Sequence, residues 1–393
     1  MPKSEALRLL ERLQEKAYKK DIVSREFIKR IKAVVNDPSR DIYIGKHIDA
    51  DFSFMSPGDR DKVKKWFFDN WQEVSKSMPT PYEEPLTYAL IMSLMKDIED
   101  AAAKLDYDLP SFPVIGTLPT GCVNAKALAV PSSKEYLIVF TTGLFRFLNV
   151  MSMVIAQAMP PVGGAKQCRR STSPELVERN LEENPEIVER FRRAIIAFLV
   201  LGDIGFTEPW DVDFNTDYFA SGIEEGTQLF VMGHEFGHVI HNHFPDSTPL
   251  ESTIGQEKVE KRILSYKQEY EADWTGAWLT IAAMNAKHYD LAWSCLGFTF
   301  FLTCCDFIEN GFSILVTGEI GNCRYDCHPS ALYRRSTLWN GLFKSGQFPD
   351  EQLKAAFRVS KKTHDNMNQL WTRITPALRE AHYNGTRPVA GLA

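Results

Sequence analysis

Apolar residues recur at helical spacing among many charges over residues 5 to about 35 and again over 61–74, with Asn36-Asp37-Pro38 breaking the first run. This predicts a helical N-terminal region. A further helix is expected over about 85–105, where Leu86, Ala89, Leu90, Leu94, Ile98 and Ala101 mark one face before Pro110 and Pro113 stop it. The period then changes. Residues 122–130 and 136–142 read as strands joined by a turn at Pro131-Ser132-Ser133-Lys134, and Gly143 opens a helix through Leu144 and Leu148. From about 158 to 190, Pro160-Pro161, Gly163-Gly164 and a polar run predict an exposed loop, an insertion able to act as a lid. Helices follow at about 193–202, 223–243, 256–285, 288–308, 329–343 and 350–383. The whole pattern is α+β and predominantly helical.

Composition narrows the function classes. With 393 residues, 44% of them hydrophobic and 24% charged, the chain can bury a sizeable core. Lys+Arg 45 against Asp+Glu 51 gives a net charge of -6, and no dense basic block interleaved with aromatics occurs, so nucleic acid is not an expected partner. The N-terminus lacks the continuous apolar run of a signal peptide, and seven scattered cysteines suit reduced thiols, which together predict a cytoplasmic protein without a structural disulfide. The most apolar stretch, 291–305, ends at Asp306, Glu309 and Asn310 and is expected as a buried helix, without membrane association.

One segment carries chemistry. In His234-Glu235-Phe236-Gly237-His238, four residues at about 100° each bring both histidines to one helix face, one turn apart, as two imidazole ligands of one zinc ion require. A catalytic zinc needs a third protein ligand and a position open to water, whose proton Glu235 would take and later return to a leaving amine. A five-residue pattern of this kind also arises by chance on solvent-facing helices, so the third ligand decides. The metzincin pattern is excluded, because the positions where it needs Gly and His hold His241 and Phe244.

Downstream, Glu269-Tyr270-Glu271-Ala272-Asp273 offers Glu269 as third ligand, with Asp273 four residues later to accept a ring N–H from a ligand histidine. Glu271 competes as a ligand, but position 275 is Thr and supplies no supporting acid. His241 and His243 are expected in supporting or surface roles. Cys323 and Cys327, four apart beside His328, lack the second pair that a structural zinc site needs.

These motifs together resemble the gluzincin metallopeptidases, and within them the group of the heat-shock peptidase HtpX and the CAAX prenyl proteases, with a weaker likeness to Lit-type phage-exclusion peptidases. The run 123–131 resembles that group's Asn-Ala strand, 234–238 its metal helix, 269–273 its third-ligand motif, and Cys327-His328-Pro329 with Arg334 its His-Pro motif. The resemblance implies a zincin-like core over 85–345 with a small sheet beside the zinc helix and an insertion at about 150–228. It leaves 1–84 as an N-terminal helical region and 346–393 as a C-terminal helical region and tail. It also implies substrate binding by Asn124, Ala125 and Ala127, and oxyanion or substrate-backbone contacts from His328 and Arg334.

The expected function is therefore a cytoplasmic zinc endopeptidase holding one catalytic Zn2+ on His234, His238 and Glu269, with Glu235 as general base and acid and a protein or peptide as substrate. The alternative is a catalytically silent scaffold that keeps the fold and works through its helical surfaces.

Overall fold

The computed structural model describes residues 3–20, 78–108, 112–131, 133–163, 169–204, 212–244, 248–254, 257–263, 265–321 and 329–389, with scattered positions between 58 and 77. It is predominantly helical with a small three-stranded sheet. Helix α1 (Glu5–Lys20) and α2 (Pro85–Lys104) precede strands β1 (Val114–Leu118), β2 (Ala125–Ala129) and β3 (Tyr136–Thr141). Helices α3 (Thr142–Ala158), α4 (Pro174–Glu183), α5 (Pro185–Ile196) and α6 (Phe214–Ile240) follow, then a hairpin of β4 (Thr248–Ile254) and β5 (Glu257–Ile263). The chain continues through α7 (Tyr266–Ala286), α8 (Leu291–Thr317), α9 (Ala331–Ser345) and α10 (Asp350–Tyr383).

The three-stranded sheet has the order β1-β3-β2, with β3 parallel to β1 and antiparallel to β2. The central strand β3 is buried on both faces and is accordingly a continuous apolar run, Leu137-Ile138-Val139-Phe140. Leu137 and Val139 meet Leu10, Leu13 and Ala17 of α1, while Ile138 and Phe140 face the main helical core. Glu83 ties these layers together. Its carboxylate accepts from Gln14 Nε2, the Thr117 backbone N–H and Thr117 Oγ1, each at 2.7 Å. Burial pushes Glu83 up to about 7 against those hydrogen bonds.

The strand pair and its turn match the expectation from sequence; β1 and the β4–β5 hairpin were not foreseen. Residues 257–263 were expected inside a helix that in fact begins at Tyr266. The alternation of β5 is charged, Glu-Lys-Val-Glu-Lys-Arg-Ile, and carries no apolar face to announce a strand. The segment expected as an insertion also reads differently. Its ends lie in α3 and α6, and Val177, Leu181, Ile187 and Phe191 of α4 and α5 are buried in the main core. The C-terminal region likewise belongs to that core, with Phe307 of α8 stacked on Trp371 of α10 at 5.0 Å.

Helix α8 runs past Asp306 and Glu309 to Thr317, so the expected stop at those charges is overturned: helical hydrogen bonding continues through partly buried acids. At 27 residues it is long and apolar enough to cross a membrane, and about two-thirds of its most apolar window is buried against the rest of the protein.

Where α8, α9 and α10 meet, His364 sits against Arg335, with ring nitrogens 2.8 and 3.1 Å from the guanidinium, and Asn368 Nδ2 lies 2.9 Å from Nε2. Burial and then the Arg335 charge hold the ring down to about 4. The unfolded chain therefore takes up this proton first, and stability falls as pH drops from about 6.5 to about 4. In thermal melts, the advantage of the native chain over His364→Gln is expected to shrink across that window; an unchanged difference would show that His364 is not the responsible group.

Candidate metal site

The site is built on two helices that approach closely. Gly237 of α6 faces the Ala272 backbone, and Gly276 of α7 faces that of His234; a Cβ on Gly276 would sit 2.8 Å from the His234 nitrogen. Only hydrogen fits there. Gly276→Ala is expected to push the helices apart, destabilising the protein by ~1–3 kcal/mol and weakening metal binding, as thermal melts and a metal titration would read.

Helix α7 starts with a capping box, Ser265 with Gln268, which sets the phase in which the next turn meets α6. Gln268 also donates from Nε2 to the His243 carbonyl at 2.8 Å, and Glu269 faces the two histidines. His234, His238 and Glu269 are all buried, and their ligand atoms lie within 4.8 Å of one another. This group can hold a metal ion. The two Nε2 atoms are 3.2 Å apart, and Glu269 Oε2 and Oε1 lie 3.6 Å from His234 Nε2 and 3.7 Å from His238 Nε2. Donors ~2.0–2.2 Å from a tetrahedral ion are separated by ~3.3–3.6 Å, so the spacing suits a small ion with mixed nitrogen and oxygen donors.

Both histidines point Nε2 inward and Nδ1 outward. His234 Nδ1 lies 2.9 Å from Asp273 Oδ1, the contact expected of Asp273. Arg334 in turn grips Asp273 with two nitrogens, Nε to Oδ2 at 2.8 Å and Nη2 to Oδ1 at 2.5 Å. Burial alone would raise the Asp273 carboxyl, but the Arg334 charge and these hydrogen bonds hold it below the usual carboxylate range. The Arg334 guanidinium is itself pushed up, Asp273 outweighing burial. Arg334 Nη2 also lies 4.0 Å from Glu269 Oε2. In place of the expected oxyanion or substrate contact, the Nε and Nη2 of Arg334 are engaged by Asp273, on the side of His234 away from Glu269. Its expected companion, His328, lies outside the described residues.

Glu235 occupies the side of α6 that meets β2, where its Oε2 accepts from the Ala127 backbone N–H at 2.6 Å. The phase of β2 explains this contact. Thr141 N–H bonds Asn124 O and Val130 N–H bonds Glu135 O, each at 3.0 Å, so the even-numbered residues pair with β3. Ala125, Ala127 and Ala129 direct their backbone groups to the outer edge, which pairs with no other strand among the described residues. Of the expected substrate-binding residues, Ala125 and Ala127 thus lie on the edge beside Glu235, whereas the Asn124 carbonyl is engaged by β3.

The choice between Glu269 and Glu271 also resolves. Glu269 reaches both histidines, while Glu271 Oε2 lies 3.3 Å from His243 Nε2. His243, given only a supporting or surface role from sequence, is buried with its Nδ1 2.9 Å from His238 Nδ1. Its signal in the sequence was Asn242, a residue suited to closing a helix. His241 Nε2 lies 2.7 Å from Thr275 Oγ1. Cys122, Cys295, Cys304 and Cys305 are free thiols, and burial pushes those of Cys295 and Cys304 up.

No protein-family model, curated protein or solved structure matches the chain.

Proposed function

We propose that the protein is a zinc-dependent endopeptidase with a zincin-like core. The observation that carries this reading is the convergence of His234, His238 and Glu269 beside Glu235, whose carboxylate meets the outer edge of β2. The resemblance to gluzincins rests on the same residues. A chance His-Glu-x-x-His on a surface helix would have neither a buried third donor nor a carboxylate orienting the outer ring nitrogen.

A zinc ion on these donors would supply Lewis acidity and lower the pKa of a coordinated water to ~7. The chain's own residues do the rest. Glu235 takes a proton from the attacking water and returns it to the leaving amine, and the Ala127 N–H holds one of its oxygens in place. The outward N–H and C=O groups of Ala125 and Ala129 are placed to pair with an extended peptide added to the sheet edge. Asp273 and Arg334 hold the His234 ring. This favours a protein or peptide substrate.

Metal analysis of the purified chain tests the proposal, together with peptide-cleavage profiling of the native protein and of Glu269→Ala. The expected result is about one zinc per chain, cleavage by the native protein, and loss of both in the variant. A folded native chain without zinc, or equal cleavage by both proteins, would overturn it.

A further inference from the structure

The two inward-facing histidines are held from behind by different devices. His234 is held by a carboxylate directly. His238 is met by another imidazole, because α6 closes in a Schellman motif: Asn242 N–H bonds Val239 O and His243 N–H bonds His238 O, both at 3.1 Å. Asn242 adopts the left-handed conformation at φ 47, and its side chain is anchored by Tyr136 OH at 2.7 Å. The reversal returns His243 to the helix it has just left. Gln268 then clamps the His243 carbonyl.

Resting on the metallopeptidase reading of the same site, we propose that His243 and Glu271 are positioning residues that fix the tautomer and ring orientation of His238. For Nε2 of His238 to present a lone pair beside Glu269, its proton must sit on Nδ1. That N–H faces His243 Nδ1 at 2.9 Å, so His243 must accept there and carry its own proton on Nε2. His243 Nε2 makes no hydrogen bond among the described residues but lies 3.3 Å from Glu271 Oε2, whose negative charge favours a proton on that nearer nitrogen. Each link leaves one tautomer for the next. Helix α7 thereby supplies the third donor, Glu269, and both supporting acids, Asp273 for one histidine and Glu271, through His243, for the other.

The inference is tested on the full chain loaded with zinc. Two-bond nitrogen–proton spectra of histidine-labelled protein are expected to show His238 protonated at Nδ1 and His243 at Nε2, with the His243 signal assigned by its loss in His243→Asn. Competition against a chelator then reads zinc affinity. His243→Leu is expected to raise the dissociation constant ~10- to 100-fold, and Glu271→Ala about 10-fold through the longer link. His243→Asn, whose amide oxygen can accept near the Nδ1 position, should recover part of the loss. A packing role predicts the reverse, since Leu suits a buried position better than Asn. A proton on His243 Nδ1, or His243→Leu binding zinc as tightly as the native chain, would overturn the inference while leaving the peptidase reading intact. A native chain that binds no zinc would remove both.

Discussion

Glu235→Gln is expected to lower peptide hydrolysis ~100- to 10,000-fold, the range of a general acid–base contribution, while the protein keeps its zinc and its melting temperature. The substitution keeps the size of the side chain and an oxygen able to accept from the Ala127 N–H, so the packing of α6 against β2 survives. What the proposed mechanism would lose is its proton acceptor for water. Glu235 is separate from the donor group of His234, His238 and Glu269, so metal content should not change. Steady-state cleavage of a peptide found by profiling, with metal analysis of the same sample, reads both. Hydrolysis at the native rate would remove Glu235 from the mechanism, and loss of zinc would show it to be a ligand.

Arg334→Met carries the largest expected effect on stability. Removing the guanidinium leaves Asp273 ionised and buried with, among the described residues, the His234 N–H to face it, and breaking a buried pair in this way costs ~3–5 kcal/mol. Asp273 is held low chiefly against burial by Arg334, so the variant also leaves it easier to protonate. Once protonated, it ceases to hold His234 in its metal-facing tautomer. Arg334→Met should therefore unfold at lower denaturant and bind zinc more weakly. Adding Asp273→Asn removes the stranded charge and is expected to recover much of the stability, because an amide still accepts from His234, but not the full affinity. If the single variant proved as stable as the native chain, Arg334 would not be a partner of a buried ion pair.

The pairs His234/His238 and Glu269/Asp273 were legible because each lies within one helix, where a spacing of four residues places two side chains on one face. The helices α2, α7, α8, α9 and α10 announced themselves by periodicity, although α7 begins ten residues later than expected and α8 runs beyond its acids. Strand β1 was hidden in a five-residue segment behind Pro113 that is too short to show a period. Helix α4 and the first two turns of α5 were masked by their charges, the helix expected at about 193–202 meeting only the end of α5. Val177, Leu181, Ile187, Phe191, Ala194 and Ile195 turn inward, and the Glu and Arg residues between them give the composition of a loop.

Local sequence, then, determined which residue types sit one helical turn apart, and with them the candidate metal donors, the proposed general base and the helical class. The partners of Arg334 and His243 were decided only by tertiary structure. Arg334 is 61 residues from Asp273 and joins it because α9 packs on α7, which turns an expected substrate contact into a clamp. His243 reaches His238 by reversing the chain at Asn242, and Glu271 by the packing of α7 against α6. The physical reason is range. Helical periodicity is a property of near neighbours, whereas the burial that pairs a guanidinium with a carboxylate, or one imidazole with another, exists only once distant helices have met.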